Sequence, residues 1–208
     1  MSTVAAQSAR PMSARMADQL FNTATGLVRT HTVDASGIGP LLSFTFDDIP
    51  DSAYRNGAAI LETHGARGTF YVAGSLCGRE TENGRFASAE ACIDLHRRGH
   101  EIGCHTYSHH AMRFATRETV ETERVRNRDF FAALDPTISL DSFAYPFAAA
   151  SPDAKLRLQR RYRSCRGGMP GINHGRIDLG YLKTMELRAG TRLAKMQAWI
   201  DQATATGG

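Results

Sequence analysis

No window of the 208-residue chain is apolar for long enough to cross a membrane. The first twenty residues, "MSTVAAQSARPMSARMADQL", lack the apolar core that a secretory signal requires, so the expectation is a cytoplasmic protein with no membrane partner. Long basic runs are missing as well. The formal charge of +4 is carried mostly by scattered arginines, which argues against a nucleic-acid partner. Cysteine is scarce. Cys77, Cys92, Cys104 and Cys165 follow no CxxC spacing and read as free, mostly buried thiols in a reducing compartment, with a Cys77–Cys92 bridge left open. Repeats and low-complexity tracts are absent too. What remains, 42% apolar and 22% charged residues over 208 positions, is the composition of one sizeable folded domain.

Short apolar runs alternate with helical patterns from residue 40 onward. "LLSFTF" (41–46), "GTFYVAG" (68–74), "HEIGCHT" (100–106), "ISLDSFAYPF" (138–147), "YRSCR" (162–166) and "YLKTMEL" (181–187) read as six strands. Helices are expected over 53–64, from an N-cap at Ser88 to Gly99, and from Thr116 to about Leu134. Two more are expected over 152–160 and from Thr191 to Ala203, the last with Leu193, Met196, Trp199 and Ile200 at helical spacing. Residues 1–39 read as a lead-in, partly flexible or covering a sheet edge, with an amphipathic turn or two around 12–28. Alternating strands and helices imply parallel βαβ units, hence an α/β barrel or an open α/β sheet.

In such an architecture functional side chains gather at the C-terminal ends of the strands. The first strand ends in Asp47-Asp48, the third in "CHTYSHH" with His105, His109 and His110, and the fourth in "AYPF". His105 and His109 are four residues apart, the separation at which a helical turn puts two imidazoles on one face. Two neutral imidazoles and one carboxylate with an open position form the ligand set of a hydrolytic zinc site, and a second carboxylate is then free to act as general base. Each part has a plainer reading: an Asp-Asp pair is often a solvated loop end or cap, and one His-x3-His spacing among eight histidines is often coincidence. Their joint appearance on strand ends favours the metal. His110 reads as a bystander, and His31, His64, His96 and His174 as surface or capping residues.

The runs "SFTFDDIPD", "ARGTFYVAG", "HRRGHEIGCHTYSHH" and "FAYPFA", in this order, resemble the polysaccharide deacetylases, the NodB-homology domain or carbohydrate esterase family 4, over about residues 40–203. The resemblance implies a distorted (β/α) barrel and a divalent metal, commonly Zn2+, held by an Asp-His-His triad. It also implies hydrolytic removal of acetyl groups from N-acetylated sugars or oligosaccharides. Carried over, Asp47 matches the catalytic base, Asp48 the metal-binding carboxylate, and His105 and His109 the metal-binding histidines. Phe147 matches the residue whose backbone N–H helps form the oxyanion hole, and Tyr145 and Pro146 stand where substrate contacts are expected.

Three departures from the family pattern carry expectations of their own. Ile49 stands where glycine often follows the two aspartates, which predicts a bulkier rim. Ala144 takes the place of an arginine that often pairs with the base, and Arg163 or Arg166 on the next strand is expected to substitute. The sequence ends at "MQAWIDQATATGG", where relatives lead into a final strand bearing a general-acid histidine. The expectation is a C-terminally truncated barrel with weakened activity, its open edges covered by the N-terminal segment or by a second subunit in a homo-oligomer. Two other readings stand beside the deacetylase: a catalytically silent, metal-retaining carbohydrate-binding module, and a deacylase of a small amide.

Overall fold

The computed structural model describes residues 12–81, 84–188 and 190–207. Helix α1 spans Met12–Leu27, and a π-helical turn over Ala53–Ala58 runs into the short α2, Ala59–Thr63. Helices α3 (Ala89–Arg97), α4 (Arg117–Leu134), α5 (Pro152–Leu158) and α6 (Leu193–Thr206) follow. The strands are β1 (Thr32–Asp34), β2 (Thr45–Asp47), β3 (Thr69–Val72), β4 (Glu80–Thr81) and β5 (Gly84–Arg85). They continue with β6 (Glu101–Cys104), β7 (Ser142–Ala144), β8 (Ser164–Pro170), β9 (Arg176–Asp178) and β10 (Leu182–Thr184).

Six of these strands, the six expected from the apolar runs, form one parallel sheet in the order β10-β8-β7-β6-β3-β2. The sheet curls into a half-barrel of the distorted (β/α) type, with helices packed against it. Parallel strands are covered on both faces, which is why β3 reads as an unbroken buried run from Thr69 to Val72. The capping chemistry follows the sequence. Ser88 accepts a hydrogen bond from the Ala91 N–H and Thr116 one from the Thr119 N–H, and the chain leaves α3 through Gly99 at φ 86°.

The core lies in two adjoining patches. One gathers Phe70, Val72, Leu95, Ile102 and Phe131; the other gathers Met112, Val120, Phe143, Leu158 and Tyr181. Each large side chain so buried stabilises the fold by about 1.5–3 kcal/mol. The four cysteines are free thiols; Cys92, Cys104 and Cys165 are buried and Cys77 partly so.

Two small features are not foreshadowed by apolar periodicity. The antiparallel pairs β1–β9 and β4–β5 are two or three residues long, too short for an alternation to register. Of the lead-in, residues 1–11 lie outside the described residues, and Met12–Leu27 form one continuous helix rather than a turn or two. Helix α1 packs on β8 and α5, held by the Lys155 ammonium, which donates to the Thr25 carbonyl at 3.0 Å, to the Val28 carbonyl, and to Asp178 Oδ2 at 2.7 Å. At the other end, α6 forms as its periodicity predicts, but its apolar side stays open: no residue of it is buried, and Leu193 is 80% exposed. No helix among the described residues is long and apolar enough to cross a membrane.

Candidate active site

Residues of β2, β3, β7 and β8 and of the loop after β6 meet in one place. Asp47 closes β2 in register with Tyr71, and Asp48 then leaves the sheet at φ 59°. That kink turns the two adjacent carboxylates in different directions. Asp48 is buried, whereas Asp47 keeps 40% of its side chain open. Ile49 follows at φ 38° and is 1% exposed. The bulky rim expected at Ile49 is therefore not there, because the same kink drives this side chain into the core beside Phe70 and Val72.

His105 and His109 meet Asp48 from the loop after β6. Their separation of four residues works differently from the sequence-based expectation. The segment is an irregular loop, with Thr106 at φ 60° and His109 at φ 57°. Asp48 Oδ1 lies 3.7 Å from His105 Nε2 and 3.2 Å from His109 Nε2. One ligand atom from each of the three residues falls within 4.8 Å of the others. His110 stays outside the group; its N–H donates to Thr106 Oγ1 and so braces the loop.

The donor set fits a divalent cation. Asp48 Oδ1 is buried with no hydrogen-bond partner, an arrangement that costs about 1–3 kcal/mol unless something fills it. His105 donates from Nδ1 to the Ala144 carbonyl at 2.8 Å, which fixes the tautomer and leaves the Nε2 lone pair facing Asp48. Burial holds both imidazoles below their ordinary pKa, His109 down to about 4 against the pull of Asp47, so both are neutral at neutral pH as ligation requires. Burial pushes Asp48 the other way, above its ordinary value; His105 opposes the shift and Asp47 adds to it.

Asp47 differs. Desolvation works to raise its pKa, but the pull of the Arg166 guanidinium, together with His105 and His109, brings the carboxyl below its ordinary value. Arg166 comes from β8, donates from Nη2 to Asp47 Oδ1, and lies over the Tyr71 ring. Of the two arginines considered for this place, Arg163 pairs instead with Asp141, at 3.4 Å. Ala144 contributes its carbonyl, not a side chain.

The turn after β7 carries Phe147 at φ 55° and Ala148 at φ 54°, and the Phe147 ring packs 4.2 Å from that of His109. A Cβ on Gly168 would fall 2.0 Å from the Ala148 Cβ, so the close approach of β8 to this turn requires glycine. Tyr145 is placed otherwise than a substrate contact demands. Its ring is 2% exposed and packs edge-on to Phe143 and Tyr181, so its side chain faces the core, and Pro146 is buried too. His174 sits apart, in a cleft lined by Gly26, Met169, Tyr181 and Lys183.

Two residues of α4 that the sequence analysis did not single out also reach these loops. Glu123 and Asn127 are buried at 7% and 0% exposure on the face that also carries Val120 and Phe131. Polar residues at i+3 and i+7 from a core valine are the signal in the sequence that marks them.

The family model described as polysaccharide deacetylase matches residues 35–162. Among solved structures, IcaB from Ammonifex degensii aligns with TM-score 0.65 at 19% identity, covering 76% of this chain and 72% of that one. The deacetylase PplD from Streptococcus pyogenes, in complex with acetate, aligns with TM-score 0.62 at 18% identity, covering 76% and 69%. BC0361, a polysaccharide deacetylase from Bacillus cereus, aligns with TM-score 0.63 at 16% identity, covering 76% of this chain and 50% of its own. At these identities the likeness is one of fold. No curated protein matches the chain.

Proposed function

Since the chain belongs to the polysaccharide deacetylase family, a family of hydrolytic carbohydrate deacetylases, we propose that it is a metal-dependent hydrolase releasing acetate from N-acetylated sugars or oligosaccharides. One observation carries this reading: a buried, unpartnered Asp48 Oδ1 faces two neutral imidazoles, with an arginine-held Asp47 alongside.

Asp48, His105 and His109 would hold the cation, and zinc is proposed from the carboxylate and imidazole donors. When bound, a divalent cation supplies Lewis acidity and acidifies water. The remaining work falls to the chain. Asp47 takes a proton from the attacking water as the new C–O bond forms, and Arg166 keeps it ionised and aimed for that task. Negative charge then grows on the acetamide oxygen, where the Phe147 N–H, in the turn after β7, is the proposed donor. The C–N bond breaks, the proton held by Asp47 passes to the leaving nitrogen, and acetate and a free amino sugar result.

Acetate release from chitooligosaccharides by zinc-reconstituted protein tests this, beside Asp47→Asn and with bound zinc quantified in both. The expected outcome is acetate that falls by about 10²–10⁴-fold in the variant while zinc stays bound. Bound zinc with no acetate from several acetylated sugars would instead favour a silent, metal-retaining carbohydrate-binding module.

A further inference from the structure

The loop that carries both histidines is gripped from outside by a single buried carboxylate. Glu123 projects from α4 and is 7% exposed. Its Oε2 accepts hydrogen bonds from the Tyr107 N–H at 3.0 Å and the Ser108 N–H at 2.7 Å, and its Oε1 accepts from the Ser108 hydroxyl at 2.9 Å. All three donors lie between His105 and His109. A buried carboxylate is costly unless its oxygens are satisfied, and charge-assisted bonds of this kind are among the stronger ones a fold can make.

The loop needs such a grip. Thr106 and His109 both adopt left-handed backbone angles, which residues with a Cβ hold only where the surroundings over-determine them. The bond from the His110 N–H to Thr106 Oγ1 is local to the loop, and the one from the Ser75 N–H to the Tyr107 carbonyl ties it to the end of β3. Arg126 lies over the Tyr107 ring, 4.2 Å from its centroid, but Glu123 is the charged partner that bonds the backbone, at two consecutive N–H groups at the midpoint. Its hydrogen bonds go to Tyr107 and Ser108 and not to Asp48, His105 or His109.

We infer that Glu123 is a positioning residue that holds 107–108 so that the two Nε2 atoms face Asp48 before any metal arrives, and that it thereby sets the metal affinity of the site. This rests on the metal reading proposed above. Asn127, one turn further along α4, supplies the contrast. Its amide accepts from the Gly74 N–H and donates to the Val72 carbonyl and to Cys104 Sγ, all outside the histidine loop. It secures the ends of β3 and β6 and makes no direct hydrogen bond to the three ligands.

The test is zinc affinity, measured by competition with a chromophoric chelator on the full chain, together with unfolding midpoints. Wild type, Glu123→Ala, Glu123→Gln and Asn127→Ala are compared. Glu123→Ala is expected to bind zinc about 10–100-fold more weakly, the usual cost of losing an outer-sphere partner. Glu123→Gln keeps the size and one acceptor oxygen, and falls between. Asn127→Ala lowers the unfolding midpoint and leaves zinc affinity unchanged. A folded Glu123→Ala or Glu123→Gln with wild-type affinity overturns the inference, as does an Asn127→Ala that loses as much affinity as Glu123→Ala. Should Glu123→Ala fail to fold, Glu123→Gln decides. A wild-type protein that takes up no zinc overturns the metal reading itself, and this inference with it.

Discussion

Arg166 and Asp47 meet although three strands of the sheet stand between them. Arg166 sits on β8 and Asp47 on β2, with β7, β6 and β3 intervening, yet the guanidinium donates to Asp47 Oδ1. In a flat sheet, strands four places apart lie about 19 Å from one another, beyond the reach of an arginine. The contact exists because the sheet curls into a half-barrel. It uses that curl to bring an anchoring cation to the proposed base.

Arg166→Ala is therefore expected to lower kcat for acetate release by about 10–100-fold with bound zinc unchanged. Arg166→Lys keeps the charge but not the planar fork, and falls between wild type and Arg166→Ala. Initial rates and metal content on the same preparations check both points. A parallel loss of zinc would place Arg166 in the metal site instead.

Lys155 ties the N-terminal helix to the domain. Its ammonium is fully buried and shared between Asp178 and the carbonyls of Thr25, in the last turn of α1, and Val28, just beyond it. Lys155→Met leaves the Asp178 carboxylate buried without its cation, which is expected to cost about 3–5 kcal/mol. Urea denaturation measures the loss, and limited proteolysis should find α1 cut well before the rest of the chain.

Gly168→Ala probes the turn proposed to carry the oxyanion donor. The added methyl would overlap the Ala148 Cβ at 2.0 Å, so either β8 or the 146–148 turn must move. A stability loss of about 1–3 kcal/mol is expected from the overpacking. The larger effect should fall on kcat, with zinc content held. Equal kcat in wild type and variant would detach this turn from the chemistry.

How far the sequence alone reaches is clearest at the loops that follow the strands. The strand ends could be read because parallel strands are continuous apolar runs, and Asp47-Asp48 or "CHTYSHH" breaks such a run sharply. What the spacing could not convey is the backbone between His105 and His109. Four residues suggest a helical turn, while Thr106 and His109 adopt left-handed angles that no residue type there announces. Ile49 and Tyr145 misled for a related reason. Each lies beside a motif residue but is buried: the kink at Asp48 and Ile49 turns the Ile49 side chain into the core, and Tyr145, extended at the end of β7, packs on Phe143 and Tyr181. Glu123 was hidden in a helix dense with charge, where only its phase relative to Val120 and Phe131 separates it from its solvated neighbours.

Glu62 predicts a pH dependence far from the active site. It accepts from Arg98 through both oxygens at 2.8 Å and from His100 Nε2 at 2.9 Å. The Gly68 N–H donates to Nδ1 of that imidazole, so Nε2 carries the proton. The Arg98 and His100 hydrogen bonds hold the Glu62 carboxyl down from the ordinary 4.5 to about 2. A depressed folded-state pKa gives stability that is present above about 4.5 and is lost as pH falls through about 2. Wild type should therefore lose more stability than Glu62→Gln over that window, and the difference in Tm between them should shrink as the pH drops. A constant difference across the window would remove Glu62 as its source.

The account rests most heavily on Asp48 Oδ1, a buried oxygen with no partner of its own. X-ray absorption at the zinc edge on the reconstituted full chain tests it most directly. The expected spectrum has one zinc per chain in a shell of nitrogen and oxygen at about 2.0–2.2 Å, with two imidazoles, reduced to one imidazole in His105→Ala. A sulfur shell at about 2.3 Å, or a spectrum that His105→Ala leaves unchanged, would contradict the site described here.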